Sequence, residues 1–172
     1  MGYDCMSRVR NQLYGVWLIV ADEGTCVAEL SFRDFPFSKD ILSNIFIAVE
    51  YYGEMTVKAG NIQSIKFENI QLVLVRGNPS VMLSAPPEED ETGLVRLGVE
   101  IRRAFDATHR DEFFGDRASG MYRIRKSYLK TIADVIGPNA IKPFVAEWEV
   151  EVRPRRGDDD DRADDRFVDW SR

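Results

Sequence analysis

One histidine and two cysteines in 172 residues leave few of the groups from which catalytic and metal sites are commonly assembled. Cys5 lies in a polar N-terminal stretch, and Cys26 alternates with apolar residues like a core position. The two make no disulfide framework, and a reducing compartment fits best. No phosphate loop, dinucleotide fingerprint, paired-cysteine spacing or metal-binding helix motif occurs. His109 ends a helical pattern and reads far more readily as a partly covered helix residue than as half of a Cys26–His109 dyad. Long apolar runs are missing as well. The longest, Gly15 to Ala21, is strand-sized, well short of the roughly 20 residues that cross a bilayer. The opening residues lack the basic start and apolar core of a secretory signal, and Gly2 lacks the hydroxyl residue that myristoylation requires. A cytoplasmic location is the expectation by exclusion. Positive charge is also short: the formal net charge is −6, which argues against a general nucleic-acid binder. Neither a cofactor, a metal nor a nucleic acid is expected as a partner.

What is present is a hydrophobic fraction of 44%, ample for the core of one domain at this length. Val16 to Ala21 and Cys26 to Phe32 are β-rich runs around Asp22-Glu-Gly-Thr25, where Gly24 can take the positive φ of a short hairpin. The second run alternates apolar with more polar residues, as in an antiparallel sheet covered on one side. After Pro36 the period changes. Ile41, Leu42, Ile45, Phe46, Val49 and Tyr52 recur at helical spacing behind a Ser38 cap, and Gly53 ends the pattern. Three extended runs follow, Gln63 to Phe67, Ile70 to Arg76 and Val81 to Ser84, with turns at Glu68-Asn69 and Gly77-Asn78-Pro79. Glu88 to Glu91 then suits the positive end of a helix dipole. A second helix is predicted from about Gly93 to about Phe113, with Leu94, Leu97, Ile101, Phe105 and His109 along one stripe. Gly115 to Gly120 reads as a connector, and Tyr122 to Ile136 as a third helix closed by Gly137-Pro138.

The fold class is therefore α+β, in the order β-β-α-β-β-β-α-α: a five-stranded antiparallel sheet flanked by three helices. Phe144 to Val152 adds a period of two and predicts an extra C-terminal strand, which can join a sheet edge or swap onto a second copy. The expected division is an N-terminal extension (1–13), the globular body (14–137), the strand segment (138–153) and an acidic disordered tail (154–172) that carries Asp158 to Asp161.

This order, with the opening strand Val16-Trp-Leu-Ile-Val-Ala-Asp-Glu-Gly24, Leu30-Ser-Phe32 and the helix Ile41-Leu-Ser-Asn-Ile-Phe-Ile-Ala-Val49, resembles the longin domains of vesicle-traffic proteins. Phe105 looks like the aromatic that such domains place late in their long helix. The resemblance covers about Tyr14 to Gly137. The related roadblock fold competes with it, since Ser7 to Tyr14 can supply a first helix, but two consecutive C-terminal helices favour longin. No SNARE heptad region follows the body. The resemblance implies a non-catalytic adaptor or platform subunit that binds small GTPases, SNARE-like segments or longin and roadblock partners, with a homodimer as a further expectation. A different reading is a PAS- or profilin-like small-ligand sensor. Bulky core positions at Trp17, Phe46, Phe67 and Phe105 speak against the cavity that it needs.

The expected docking region is the surface of the first helix, with Lys39, Asn44 and Tyr51, together with the adjoining strand at Ile62, Ser64 and Lys66. Arg123, Arg125, Lys126 and Lys130 make the third helix the most basic element, which suits an acidic partner or weak peripheral contact with anionic lipid. The bland reading of that helix, an ordinary polar face, is the commoner one. Trp148 and Trp170 are aromatic-anchor candidates, and Trp148 reads equally well as core.

Overall fold

The computed structural model describes residues 12–20, 23–32, 39–52, 63–137 and 151–154. Five strands, β1 (Gly15–Val20), β2 (Thr25–Ser31), β3 (Ser64–Lys66), β4 (Gln71–Val75) and β5 (Ser80–Ala85), form one antiparallel sheet in the order β2-β1-β5-β4-β3. The helices are α1 (Lys39–Tyr52), α2 (Glu91–Ala118) and α3 (Lys126–Ile136). This is the β-β-α-β-β-β-α-α order expected from the sequence, with one short strand, β6 (Met121–Ile124), placed between the last two helices.

Alternation along the central strands sends side chains into two separate cores. Val16, Leu18 and Val20 of β1 and Val81, Leu83 and Ala85 of β5 face α2 and α3, which contribute Leu94, Leu97, Ile101, Phe105, Tyr128 and Ile132. Trp17 and Ile19 of β1, Leu72 and Leu74 of β4 and Met82 of β5 face the other way, where Leu42 and Phe46 of α1 join them. Both faces are covered, so β1, β4 and β5 are buried throughout, which explains their near-continuous apolar sequences. Each large side chain buried in these layers contributes about 1.5–3 kcal/mol. Gly24 has φ 60° in the β1–β2 turn, as its place in the hairpin demands, and the β4–β5 turn contains a cis Asn78–Pro79 bond.

The lead into α2 is fixed by side chains that sequence spacing does not pair. Gln71 Nε2, at the buried end of β4, donates to the carbonyls of Pro86 (2.9 Å) and Glu89 (2.8 Å). Asp90 caps the helix by accepting from Thr92 N (3.2 Å) and Gly93 N (2.9 Å). The acidic stretch before α2 is thus put to structural use.

Four expectations need correction. The second helix does not stop near Phe113 but runs through Gly115 to Ala118. A mid-helix glycine costs about 1 kcal/mol against alanine, and burial of Phe113 together with the grip of Arg125 on Asp116 offsets it. Residues expected to begin the third helix instead form β6, and α3 starts only at Lys126. The expected C-terminal strand lies outside the described residues from Phe144 to Val150; at its end, β7 (Glu151–Pro154) does not extend the five-stranded sheet but pairs with β6 in a separate two-stranded sheet, Met121 opposite Pro154. Phe67 is no core residue: it is 46% exposed, as Ile41 is at 47%.

Candidate functional site

β3 is the edge of the sheet opposite β2, and it is only three residues long. Two hydrogen bonds set its phase against β4: Phe67 N donates to the Ile70 carbonyl at 2.7 Å, and Leu74 N donates to the Gln63 carbonyl at 2.8 Å. In an antiparallel ladder alternate residues bond the same neighbour. Gln63, Ile65 and Phe67 therefore spend their backbone groups on β4, and Ser64 and Lys66 present theirs outward. Among the described residues no strand lies on that side. An outward pair of N–H and C=O groups is what an added strand from another chain would bond.

The side chains here suit the same use. Ile65 opposes Leu72 and so points to the α1 side of the sheet; Phe67, two residues on, follows it. Half-buried Ile65 and exposed Phe67 put apolar surface beside the open backbone. Lys66 reaches Glu91 only loosely, at 3.9 Å, with both side chains about half exposed. On α1, Asn44 and Ile41 are exposed; Lys39 and Tyr51 lie within the helix at its two ends. α1 and β3 border the same face, but the backbone of α1 packs most closely on β2. The Ser64–Lys66 edge is thus one surface and the outer side of α1 another. Ile62, Trp148 and Trp170 lie outside the described residues.

The four cations expected on one helix are divided among several roles. Arg123 is on β6 and exposed, and Lys126 opens α3, also exposed. Arg125 is the N-terminal boundary residue of α3 and is three-quarters buried. Its guanidinium binds Glu112 at 2.8 Å and both oxygens of Asp116 at 3.1 Å, clamping α3 to the end of α2. Lys130 pairs with Asp134 at 2.8 Å on the exposed side of α3. Arg123 and Lys126 remain the more open members.

An open cleft of about 490 Å³ runs between α2 and α3, lined among others by Thr108, His109, Ser127, Lys130 and Thr131. His109 is 5% exposed and packs against the rings of Phe105 and Tyr128. Its Nε2 is 2.7 Å from Thr131 Oγ1. Its Nδ1 is 3.7 Å from the carboxylate of Glu112, and the Thr131 hydroxyl serves Nε2 as donor or acceptor according to the imidazole tautomer. Burial holds the imidazole below its usual range against the opposing pull of Glu112. Burial, reinforced by the charges of Glu112 and Asp116, pushes the Tyr128 phenol up to about 12. The order hydroxyl, imidazole, carboxylate is that of a nucleophile with its base. Here, however, 3.7 Å is beyond hydrogen-bond length, and Arg125 already neutralises the acid. The arrangement is a buried brace between two helices.

No protein-family model matches the chain, and no curated protein does. Among solved structures it is similar to the Roadblock/LC7 domain from Streptomyces avermitilis. That likeness has 14% sequence identity and a TM-score of 0.40, and covers 54% of this chain and 84% of the other. The superposition is loose, and the α+β architecture stands on the strand order and helix placement given above. No helix among the described residues is long and apolar enough to cross a membrane, and no cluster of potential metal ligands occurs among them.

One feature of α2 escaped the hydrophobic pattern. Arg96, Arg103, Arg110 and Arg117 recur every seven residues, and the first three are exposed. The spacing is plain in the sequence, but it is masked by the six acids of the same helix.

Proposed function

We propose that this chain is a protein-interaction module of longin or roadblock type, acting as an adaptor or platform subunit for small GTPases or other membrane-traffic proteins. The observation that carries the reading is the open β3 edge, with the outward backbone of Ser64 and Lys66 beside exposed Phe67. Strand addition there gives affinity through main-chain hydrogen bonds and specificity through flanking apolar contacts. A stable complex buries about 1,200–2,000 Å² in all, more than three residues supply, so α1, with exposed Asn44 and with Lys39 and Tyr51 near its two ends, is proposed as a second contact. The segment just before β3, including Ile62, belongs to the same proposed region. Arg123 and Lys126 are the better placed of the basic residues to meet an acidic partner or lipid headgroup.

Mixing the purified chain with a panel of small GTPases in both nucleotide states, and measuring mass by light scattering, tests this directly. The expected result is a defined complex with at least one of them, weakened by Lys66→Pro, which removes an outward donor. A monodisperse monomer in every mixture would defeat the reading.

A further inference from the structure

Six carboxylates on α2 hide its arginines. Glu91 faces Lys66, Asp106 faces Arg102, and Glu112 and Asp116 are held by Arg125. Glu100 and Asp111 are the remaining acids of the helix, and they flank the arginine row. Arg96, Arg103, Arg110 and Arg117 each lie about 10 Å apart along the axis, and the row drifts by only about 20° per step. It therefore forms a narrow ridge about 31 Å long on the side away from the sheet. Phe114 is 39% exposed on this ridge, with the Arg110 guanidinium 5.9 Å above its ring. A narrow positive ridge bordered by acids, on a chain of net charge −6, suits a linear anionic strand better than a flat anionic surface.

The geometry of β7 points such a strand at the ridge. β7 runs antiparallel to β6 and ends at Pro154 opposite Met121, three residues beyond the end of α2. At Pro154, β7 has run back to the turn that follows α2. After Arg155, Arg156 and Gly157 the sequence turns acidic: positions 158–165 hold six aspartates and one arginine, a net charge of −5. These positions lie 4 to 11 residues past Pro154, a reach of about 13–36 Å. Arg117 to Arg103 occupy about 21 Å of α2, within that reach.

We infer that the acidic segment Asp158–Asp165 of this same chain lies along the arginine ridge of α2. The occupant is tethered at the ridge's end, so association is intramolecular and is favoured by a high effective concentration. Several carboxylates against several guanidiniums make a network, in which weak surface pairs add up. In the free chain the ridge is then self-covered, and an acidic segment of any other protein must displace the chain's own.

Carbodiimide cross-linking of the full chain tests this. Arg103→Lys and Arg110→Lys variants keep the charge while supplying an amine that can form an amide with a nearby aspartate. Equal parts of isotopically labelled and unlabelled chain are mixed before the reaction, and cross-linked peptides are mapped by mass spectrometry. The expected result is a link from position 103 or 110 to the Asp158–Asp165 segment within single-isotope molecules. It should be lost in about 1 M salt, where screening acts over ~3 Å, and should exceed any link from Lys66. Mixed-isotope links alone would place the segment of a second copy on the ridge and overturn the intramolecular assignment. No link above the Lys66 background in either variant would overturn the inference altogether; circular dichroism identical to the parent shows that the variants fold.

Discussion

Arg125 and Lys130 stand five residues apart with the same charge, and burial gives them different weights. Arg125 is 24% exposed in its side chain and holds Asp116, itself at 11%. Arg125→Ala leaves that carboxylate without its partner and should destabilise the fold by about 1.5–3 kcal/mol, the usual range for hydrogen bonds to charged groups. Lys130→Ala removes an exposed i,i+4 pair with Asp134 and should cost about 0.3–0.5 kcal/mol or less. Urea unfolding of the two variants checks the contrast; equal losses would refute it. His109 carries the pH dependence. Its folded pKa lies below the ordinary ~6.5, so as pH falls below that value the unfolded chain takes up the proton first and stability declines until the folded form titrates too. Tyr128 works at the other limit. Its folded pKa is raised, so it contributes stability below about pH 10 that is lost as pH rises toward about 12. His109→Gln should flatten the acid side of the profile of urea midpoint against pH and leave the alkaline side unchanged. The sequence marked His109 as a helix residue with one covered side, but its brace to Thr131 joins positions 22 apart, which no local period reveals.

At the level of helices and strands, what could be read and what could not divides by range. β1, β2, β4, β5 and α1 were legible because each announces itself locally, through β-branched runs bounded by turn residues or a change from period two to 3.6. The region from Gly115 to Ile124 was not. Gly115 looks like a breaker, and a strand as short as β6 is hard to distinguish from the first turn of the helix after it; its partner β7 begins 27 residues past its end. Two glycines of α2 make opposite predictions. A Cβ on Gly98 would lie 2.5 Å from Val75 Cγ2 and 3.1 Å from Leu83 Cδ1, where the helix rides on β4 and β5. Gly98→Ala should therefore destabilise by about 1–3 kcal/mol through overpacking. A Cβ on Gly115 meets nothing within 4 Å, and Gly115→Ala should stabilise the lengthened helix by about 0.5–1 kcal/mol. Thermal or urea unfolding decides both signs. Stabilisation by Gly98→Ala would mean that α2 sits farther from the sheet than described.

Among the described residues the molecule is a sheet covered on both faces by helices, with β3 lying open along one of its two borders. Trp17, Phe46 and Phe105 are buried in its interior, while apolar surface at Phe67 and Ile41 lies outside. That Ser64 and Lys66 lie on a strand was legible from the meander pattern; which of its backbone groups face outward was not, because that follows from the pairing phase with β4. The open edge is the claim on which the proposed role depends, and amide hydrogen exchange read residue by residue tests it most directly. In dilute protein, Ile65 and Phe67, bonded to β4, should exchange slowly, and Ser64 and Lys66 quickly, with the latter two slowing when a binding partner is added. Equal protection of all four amides in the dilute, unpartnered chain would contradict the account.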